Sequence, residues 1–297
     1  MALGRTAKLN TGAEIPLLGI GTYLSKENDA YKAVLAALKA GYRHIDTAYA
    51  YQNEKEVGQA IRDSGVPREE IFVTTKLWNT FHRPELVAKG VQESLDNLNI
   101  GYIDLLLMHW SVAFQPSSDI IPKGDDGEPV VDTSVDFTET YAAMEKLVGD
   151  KVRAIGVSNF GLKNLDKLLK TAKIVPAVNQ VEAHPHFPQY ELLNYCNKHN
   201  IHLTAWGPLG LAGAPLVKDD KVVEIANKYN KTPAQVLLSW GIQRGTSVIP
   251  KSVTESRIIE NFQDFILEDE DKKTLDTLKS NPERLIYPWK KIPGLYD

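Results

Sequence analysis

Eight short runs of β-forming residues alternate along this chain with longer stretches whose apolar residues recur every three or four positions. That alternation is the tightest constraint the sequence carries. Strands separated by helices pair in parallel, and eight of them suffice to close a barrel. The runs lie at residues 17–21, 44–46, 71–75, 103–108, 152–157, 177–181, 201–206 and 246–249. Between them Tyr31, Val34, Leu35 and Leu38 share a helical face that stops at Gly41. A helix is expected over 54–64, and further stripes are Val87, Val91 and Leu98; Phe137, Tyr141, Met144 and Val148; and Leu162, Leu165, Leu168 and Leu169. Thr232 followed by Pro233 reads as a cap and first-turn proline. Ahead of the first run, Asn10-Thr11-Gly12 turns a small hairpin back through Ile15. The expected fold is an α/β (β/α)8 TIM barrel with an N-terminal β-hairpin. Long loops at 111–136 and 207–220 should lie on its C-terminal face, and residues 1–297 should form a single domain.

Composition narrows the class. Of 297 residues, 43% are hydrophobic and 24% charged, which excludes disordered and collagen-like chains. A net charge of −4 makes no electrostatic case for nucleic acid or an anionic membrane. The one cysteine, Cys196, forbids an internal disulfide and fits a reducing compartment. The opening MALGRTAKLNTG lacks a secretory pattern, and no run approaches the ~18 apolar residues of a membrane span. A cytoplasmic protein is expected.

The residues that end the apolar runs carry the chemistry. Run two ends in Asp46, with Tyr51 five residues on; run three leads into Lys76, and run four into His109 and Trp110. Run five leads into Ser158 and Asn159, run six holds Gln180, and run eight leads into Lys251 and Ser252. In a closed parallel barrel these positions converge on one rim, where barrel active sites are built. Singly, each has an ordinary explanation: a structural histidine, a solvated lysine, a capping aspartate, a packed tyrosine. Together they are four titratable groups on three neighbouring strands, and the opposite rim has no such set.

A free phenol titrates near ~10, too high for easy proton exchange at neutral pH. An ammonium within reach favours the phenolate and is expected to lower that value. A carboxylate beside the ammonium holds it charged and in place. Asp46, Lys76 and Tyr51 thus read as a tuned proton donor, with His109 orienting a carbonyl oxygen. No thiol, Ser-His-Asp set or metal-ligand cluster offers a nucleophile. A proton donor of this kind suits a reaction whose other partner is hydride, from a nicotinamide or flavin.

These residues sit in the stretches GYRHIDTAYAYQNEKEVGQAI, TTKLWNTFH, GYIDLLLMHW, GVSNF, NQVEAHP and IPKSVTESRIIEN. In order and spacing they closely resemble the aldo-keto reductases, over about residues 8 to 282. The resemblance implies a (β/α)8 barrel and reversible NAD(P)H-dependent reduction of aldehydes and ketones. It implies Tyr51 as general acid, Lys76 and Asp46 as its tuning pair, and His109 as the substrate-orienting residue. It assigns Ser158, Asn159 and Gln180 to the nicotinamide carboxamide, with Asp46 also on the cofactor side. Trp206 stands where the family stacks an aromatic ring, usually tyrosine. Gly21 and Thr22 match the loop after strand one that lies against the cofactor, and Gly207, Leu209 and Val253 are assigned to the cofactor as well. Glu260 and Asn261 resemble adenine-side contacts.

Lys251, Ser252 and Arg257 make a separate argument. Two cations and a hydroxyl within seven positions suit a phosphate monoester, Arg giving a fork and Lys a point charge. Relatives with this pattern use NADPH, so NADPH/NADP+ is the expected cofactor. The substrate pocket is assigned to Tyr23, Trp78, His109 and Trp110, with a possible cap from the tail around Tyr287, Trp289 and Leu295. Tyr23 stands where relatives often have tryptophan, Ser111 where proline is frequent, and Gly207 where serine is common.

The same residues admit three rival readings. A short-chain dehydrogenase would use Tyr51 and Lys55 as Y-x-x-x-K, but that family needs a glycine-rich turn after strand one and Gly19-Ile20-Gly21 has no third glycine at the right step. A metal-dependent hydrolase has only His184-Pro185-His186, without a carboxylate at ligand spacing, so no metal is expected. The alternative reading is a non-catalytic NADP(H)-binding regulatory subunit on the same fold. The expected partner is a small carbonyl compound, with neither nucleic acid nor membrane, and the chain is expected to be a monomer.

Overall fold

A hairpin leads into the barrel: β1 (Thr6–Lys8) and β2 (Glu14–Pro16) pair antiparallel across a turn in which Gly12 takes a φ of 87°. The structure, a computed structural model, describes residues 3–25, 28–210, 213–280, 282–286, 288–289 and 291–295. There follow β3 (Ile20–Gly21), α1 (Asp29–Ala40), β4 (His44–Asp46), α2 (Glu54–Asp63), β5 (Phe72–Leu77), α3 (Pro84–Leu98) and β6 (Leu105–Met108). Next come α4 (Phe137–Glu145), β7 (Ile155–Ser158), α5 (Leu162–Leu169), β8 (Val178–Glu182), α6 (Tyr190–Lys198) and β9 (His202–Trp206). The chain ends through α7 (Asp220–Tyr229), α8 (Pro233–Gln243), β10 (Ser247–Val248), α9 (Glu255–Asn261) and α10 (Asp269–Asp276).

Strands β3 to β10 are parallel and lie side by side in chain order. The sheet closes on itself where Leu18 bridges Val248 and Gly21 bridges Lys251. Gly19 N donates to Val248 O at 2.9 Å, and Val248 N donates to Leu17 O at 2.8 Å. A Cβ on Gly21 would lie 3.1 Å from Ile249 O, so the seam is tight there. This is the (β/α)8 barrel expected from the eight runs, with the hairpin as its floor. Leu9 and Ile15 pack against Phe72, Leu105, Leu107, Ala154, Ala177 and Val178.

Alternation along each strand separates two cores. In β5, Phe72 joins the floor cluster, while Val73 and Leu77 pack outward in the layer that holds Val57, Val87 and Val91 of the helices. Thr74 and Lys76 share the side of Phe72. Thr75 turns out to α2, where its hydroxyl donates to Glu54 at 2.6 Å.

Two local expectations need correction. The apolar run 71–75, with Lys76 at its end, is expected to close the strand, yet β5 continues through Lys76 to Leu77 and pairs Lys76 with Leu107. A charge ends a strand only when it must reach water, and this one is matched inside the protein. Val148, expected on the inward face of α4, is 38% exposed. The helix stops at Glu145, and tighter bonds from Leu147 N to Met144 O and Val148 N to Glu145 O rotate the chain outward. The cap at Thr232 is as expected: its hydroxyl accepts from Gln235 N, and Gln235 reaches back to the Thr232 N–H.

Candidate active site

Parallel strands deliver their C-terminal ends to one rim, and the four titratable residues meet there. Asp46 ends β4, Tyr51 lies in the short turn Tyr49–Tyr51, Lys76 lies in β5, and His109 follows β6. Lys76 Nζ donates to Asp46 Oδ1 at 2.6 Å, to Thr47 O at 2.8 Å and to Tyr51 Oη at 3.4 Å. An ammonium has three donors and no acceptor, so all three protons are committed. Tyr51 Oη is therefore an acceptor toward Lys76, and its own proton points elsewhere. Gln180 Nε2 donates to the other oxygen, Asp46 Oδ2, at 2.6 Å. Asp46 and Lys76 are each 1% exposed. A buried ion pair survives only with its remaining hydrogen bonds filled, as here.

The expected lowering of the Tyr51 phenol is not what the geometry produces. Burial, with the Asp46 charge and Tyr23 adding to it, holds the phenol well above its ordinary value. Enclosure disfavours the charged phenolate, and the nearby Asp46 carboxylate disfavours a second negative charge beside it. Tyr51 thus keeps its proton. Burial lowers Lys76, with Asp46 opposing. Burial, then the Lys76 charge and His82, hold His109 well below the usual imidazole range, so its ring is neutral. Its Nδ1 is enclosed without a hydrogen-bond partner among the described residues, which leaves Nε2 as the nitrogen available to a ligand. The rings of Tyr51 and His109 lie edge to face at 5.7 Å.

Around this pair stand aromatic walls. Trp78 lies 5.1 Å from His109, Tyr23 5.1 Å from Tyr51, and Trp110 stacks beside His109 at 6.5 Å. Two further walls went unassigned or only loosely suspected in the sequence. Phe114 and Trp289 pack at 5.1 Å, and Trp289 also meets Trp110 at 5.5 Å and Trp78 at 6.1 Å. Only the clustering of aromatics after His109 hinted at Phe114. Of the suspected tail, Tyr287 lies outside the described residues, and Leu295 is buried.

On the opposite side, Asn159 gathers strand ends. Its backbone takes a φ of 62°, which asparagine tolerates better than most residues. Its Nδ2 donates to His109 O at 3.0 Å and Ser158 Oγ at 3.2 Å, and its Oδ1 accepts from Trp206 Nε1 at 3.0 Å. Ser158 Oγ donates to Gln180 O at 2.9 Å. Ser158, Asn159, Gln180 and Trp206 thus form one connected group, with the half-buried Trp206 ring fixed by its N–H. Thr22 is fully enclosed; its N–H donates to Asp46 O and its hydroxyl lies against Asp46 O and Asn53, so it braces β4. Gly21 lies in the seam. Gly207 follows Trp206 with a φ of 63°, and Leu209 is half-buried beyond it.

Past β10, Lys251, Val253 and Arg257 are exposed and Ser252 is half-buried. Lys251 Nζ reaches only Leu24 O, at 3.4 Å, and Arg257 has no hydrogen bond or ion pair among the described residues. Glu260 is half-buried, its carbonyl accepting from Gln235, and Asn261 is 5% exposed. Lys55, the rival partner for Tyr51, is exposed on α2. His184 is buried against Glu182 at 3.1 Å, and no cluster among the described residues could hold a metal ion. No helix among the described residues is long and apolar enough to cross a membrane.

A family model described as the aldo/keto reductase family matches residues 17–280. The chain belongs to that family. This aldo-keto reductase is 49% identical to the glycerol 2-dehydrogenase (NADP(+)) of Saccharomyces cerevisiae, over 94% of this chain and 93% of that one. It is 43% identical to the D/L-glyceraldehyde reductase of Hypocrea jecorina, over 99% of this chain and 93% of that one. Among solved structures, the aldose reductase from Schistosoma japonicum superposes with a TM-score of 0.91 at 42% identity, covering 95% of this chain and 94% of that one.

Proposed function

We propose that this aldo-keto reductase reduces aldehydes and ketones to alcohols with NADPH, Tyr51 giving the proton. The Lys76–Tyr51 contact carries the reading. It leaves the phenolic proton free for a carbonyl oxygen, and it places a cation where charge appears once that proton leaves. Neutral His109, beside Tyr51, orients the same oxygen by hydrogen bonding. Tyr23, Trp78 and Trp110 give the substrate an apolar surround. The relatives' names, a glycerol dehydrogenase (NADP(+)) and a glyceraldehyde reductase, agree with this chemistry.

The residues fit NADPH. Arg257, exposed with no partner among the described residues, together with Lys251 and the Ser252 hydroxyl, suits a phosphate monoester. Trp206, its plane fixed by Asn159, suits stacking, and Ser158, Asn159 and Gln180 bring the hydroxyl and amides a carboxamide needs. When bound, NADPH supplies the hydride. We place the enzyme in the cytoplasm, from its lone buried thiol, and take it as a monomer working as one barrel domain, from its resemblance to the family. Consumption of NADPH in the presence of glyceraldehyde is the direct test; no consumption with any simple aldehyde overturns the reading.

Two further outcomes follow. Arg257→Ala removes a charge-assisted phosphate contact worth about 1.5–3 kcal/mol, so the NADPH Kd should rise roughly tenfold to a hundredfold while that for NADH changes little. Equal losses for both cofactors, measured by fluorescence titration, would free Arg257 from the 2′-phosphate. For pH, Tyr51 is raised and His109 lowered, so neither changes state in the neutral range. The phenol donates below its pKa and loses that capacity only as pH rises through it. Reduction kcat/KM should be flat from about pH 6 to 8 and fall on the alkaline side only. An acid limb near the ordinary imidazole value would show that His109 titrates.

A further inference from the structure

Described residues of the tail reach the aromatic pocket, and they are held at three places. Leu285 N donates to Glu182 Oε1 at 2.7 Å, and Ile286 N to Glu182 Oε2 at 3.3 Å. Lys291 Nζ reaches Glu128 Oε1, in the loop after β6, at 2.6 Å. Asn164 Nδ2, on α5, donates to Gly294 O at 3.0 Å, and Leu295 beyond it is 1% exposed. Between these points Trp289 adopts a φ of 54°, the left-handed region that bulky residues avoid. A free tail would relax that conformation. The pinned tail instead keeps the indole against Trp78, Trp110 and Phe114.

Glu182 is 0% exposed, and a buried carboxylate needs partners that match it. Its partners are the two tail amides, His184 Nε2 at 3.1 Å and Arg284 Nη1 at 3.8 Å. Leu285, Ile286 and Arg284 belong to the tail, so most of what compensates this charge is the segment that leads to Trp289. Among the described residues, Glu182 makes no hydrogen bond or ion pair with Asp46, Tyr51, Lys76 or His109. Its role concerns where the tail sits.

We infer that Glu182 is a positioning residue: by seating the amides of Leu285 and Ile286, it holds Trp289 as an apolar wall that selects aromatic over small polar aldehydes. The inference rests on the carbonyl-reductase reading of the pocket. Losing the carboxylate frees the amides, lets Trp289 leave its strained backbone and withdraws apolar surface from the far side of the pocket. An aldehyde that reaches only Tyr51 and His109 does not sense the change. One with an aromatic ring does.

The test compares glyceraldehyde with 4-nitrobenzaldehyde in steady-state kinetics with NADPH. In Glu182→Ala, KM for the aromatic aldehyde should rise about tenfold, while its kcat, the glyceraldehyde KM and the NADPH Kd stay within about twofold. Glu182→Gln, which still accepts one amide, should recover most of the loss. Trp289→Ala should reproduce the selectivity change, and the double variant should be no worse than Trp289→Ala alone. If Glu182→Ala fails to fold, Leu285→Pro deletes the 2.7 Å donor on an exposed residue and carries the same comparison. Parallel losses on both aldehydes, or additive effects in the double variant, overturn the inference. An active parent with unshifted variants overturns it alone; a parent that reduces neither aldehyde overturns the reading of the site as well.

Discussion

Replacing Tyr51 by phenylalanine should lower the rate of aldehyde reduction by about a thousandfold and leave NADPH binding nearly intact. The substitution deletes one oxygen from a ring held by Tyr23, His109 and the Lys76 ammonium. Shape and packing persist, and only the donor disappears. General acid catalysis contributes about 10²–10⁴ in rate, which sets the scale. On the proposed reading, cofactor affinity rests on a different set of side chains, Trp206 with Asn159 and the cations beyond β10. Single-turnover rates and a fluorescence titration on the same preparation separate the two quantities. A variant that turned over normally would remove Tyr51 from the chemistry. A parent that bound NADPH and reduced no carbonyl compound would favour a regulatory subunit.

The second large effect is on stability. Lys76→Met removes the cation from a pair of which both members are 1% exposed. Gln180 still serves one oxygen of Asp46, but the other faces an apolar side chain. Breaking a buried pair by removing one partner costs about 3–5 kcal/mol, because the remaining charge stays enclosed. Urea unfolding should show that loss. Adding Asp46→Asn should restore a substantial part of it, since the stranded charge is then gone. If Lys76→Met alone lies within about 1 kcal/mol of the parent, the pair is not closed to water as drawn.

Much of this architecture is legible in the sequence because parallel strands buried on both faces must be apolar throughout, and helices between them must be apolar on one side. Residues 105–108, LLLM, read plainly for that reason. The polar helices do not. Along α10, DEDKKTLD, Asp271 and Leu275 are the buried positions, and Asp271 is held by Lys228 and Tyr229, residues of α7 more than forty positions earlier. No local period announces such a partnership. The same limit applies at the site. Strand ends place Asp46, Lys76 and His109 on one rim, and Tyr51 is close enough in sequence to follow. The protonation state of Tyr51 depends on how deeply the phenol is enclosed and on the Asp46 charge near it, and spacing holds no such information. Trp289 is legible only as part of a tail that could reach the pocket, since its ring partners Trp78, Trp110 and Phe114 lie far earlier in the chain.

The amide of Asn159 has a practical reach. It touches the end of β6 through the His109 carbonyl, β7 through Ser158 and β9 through Trp206, while its backbone N–H takes the Gln180 carbonyl of β8. Four adjacent staves of the barrel are thus tied by one knot. Anyone re-engineering this enzyme inherits that linkage: a shift introduced at Trp206 is transmitted through Asn159 to the strand end that carries His109, so the two halves of the cleft have to be redesigned together.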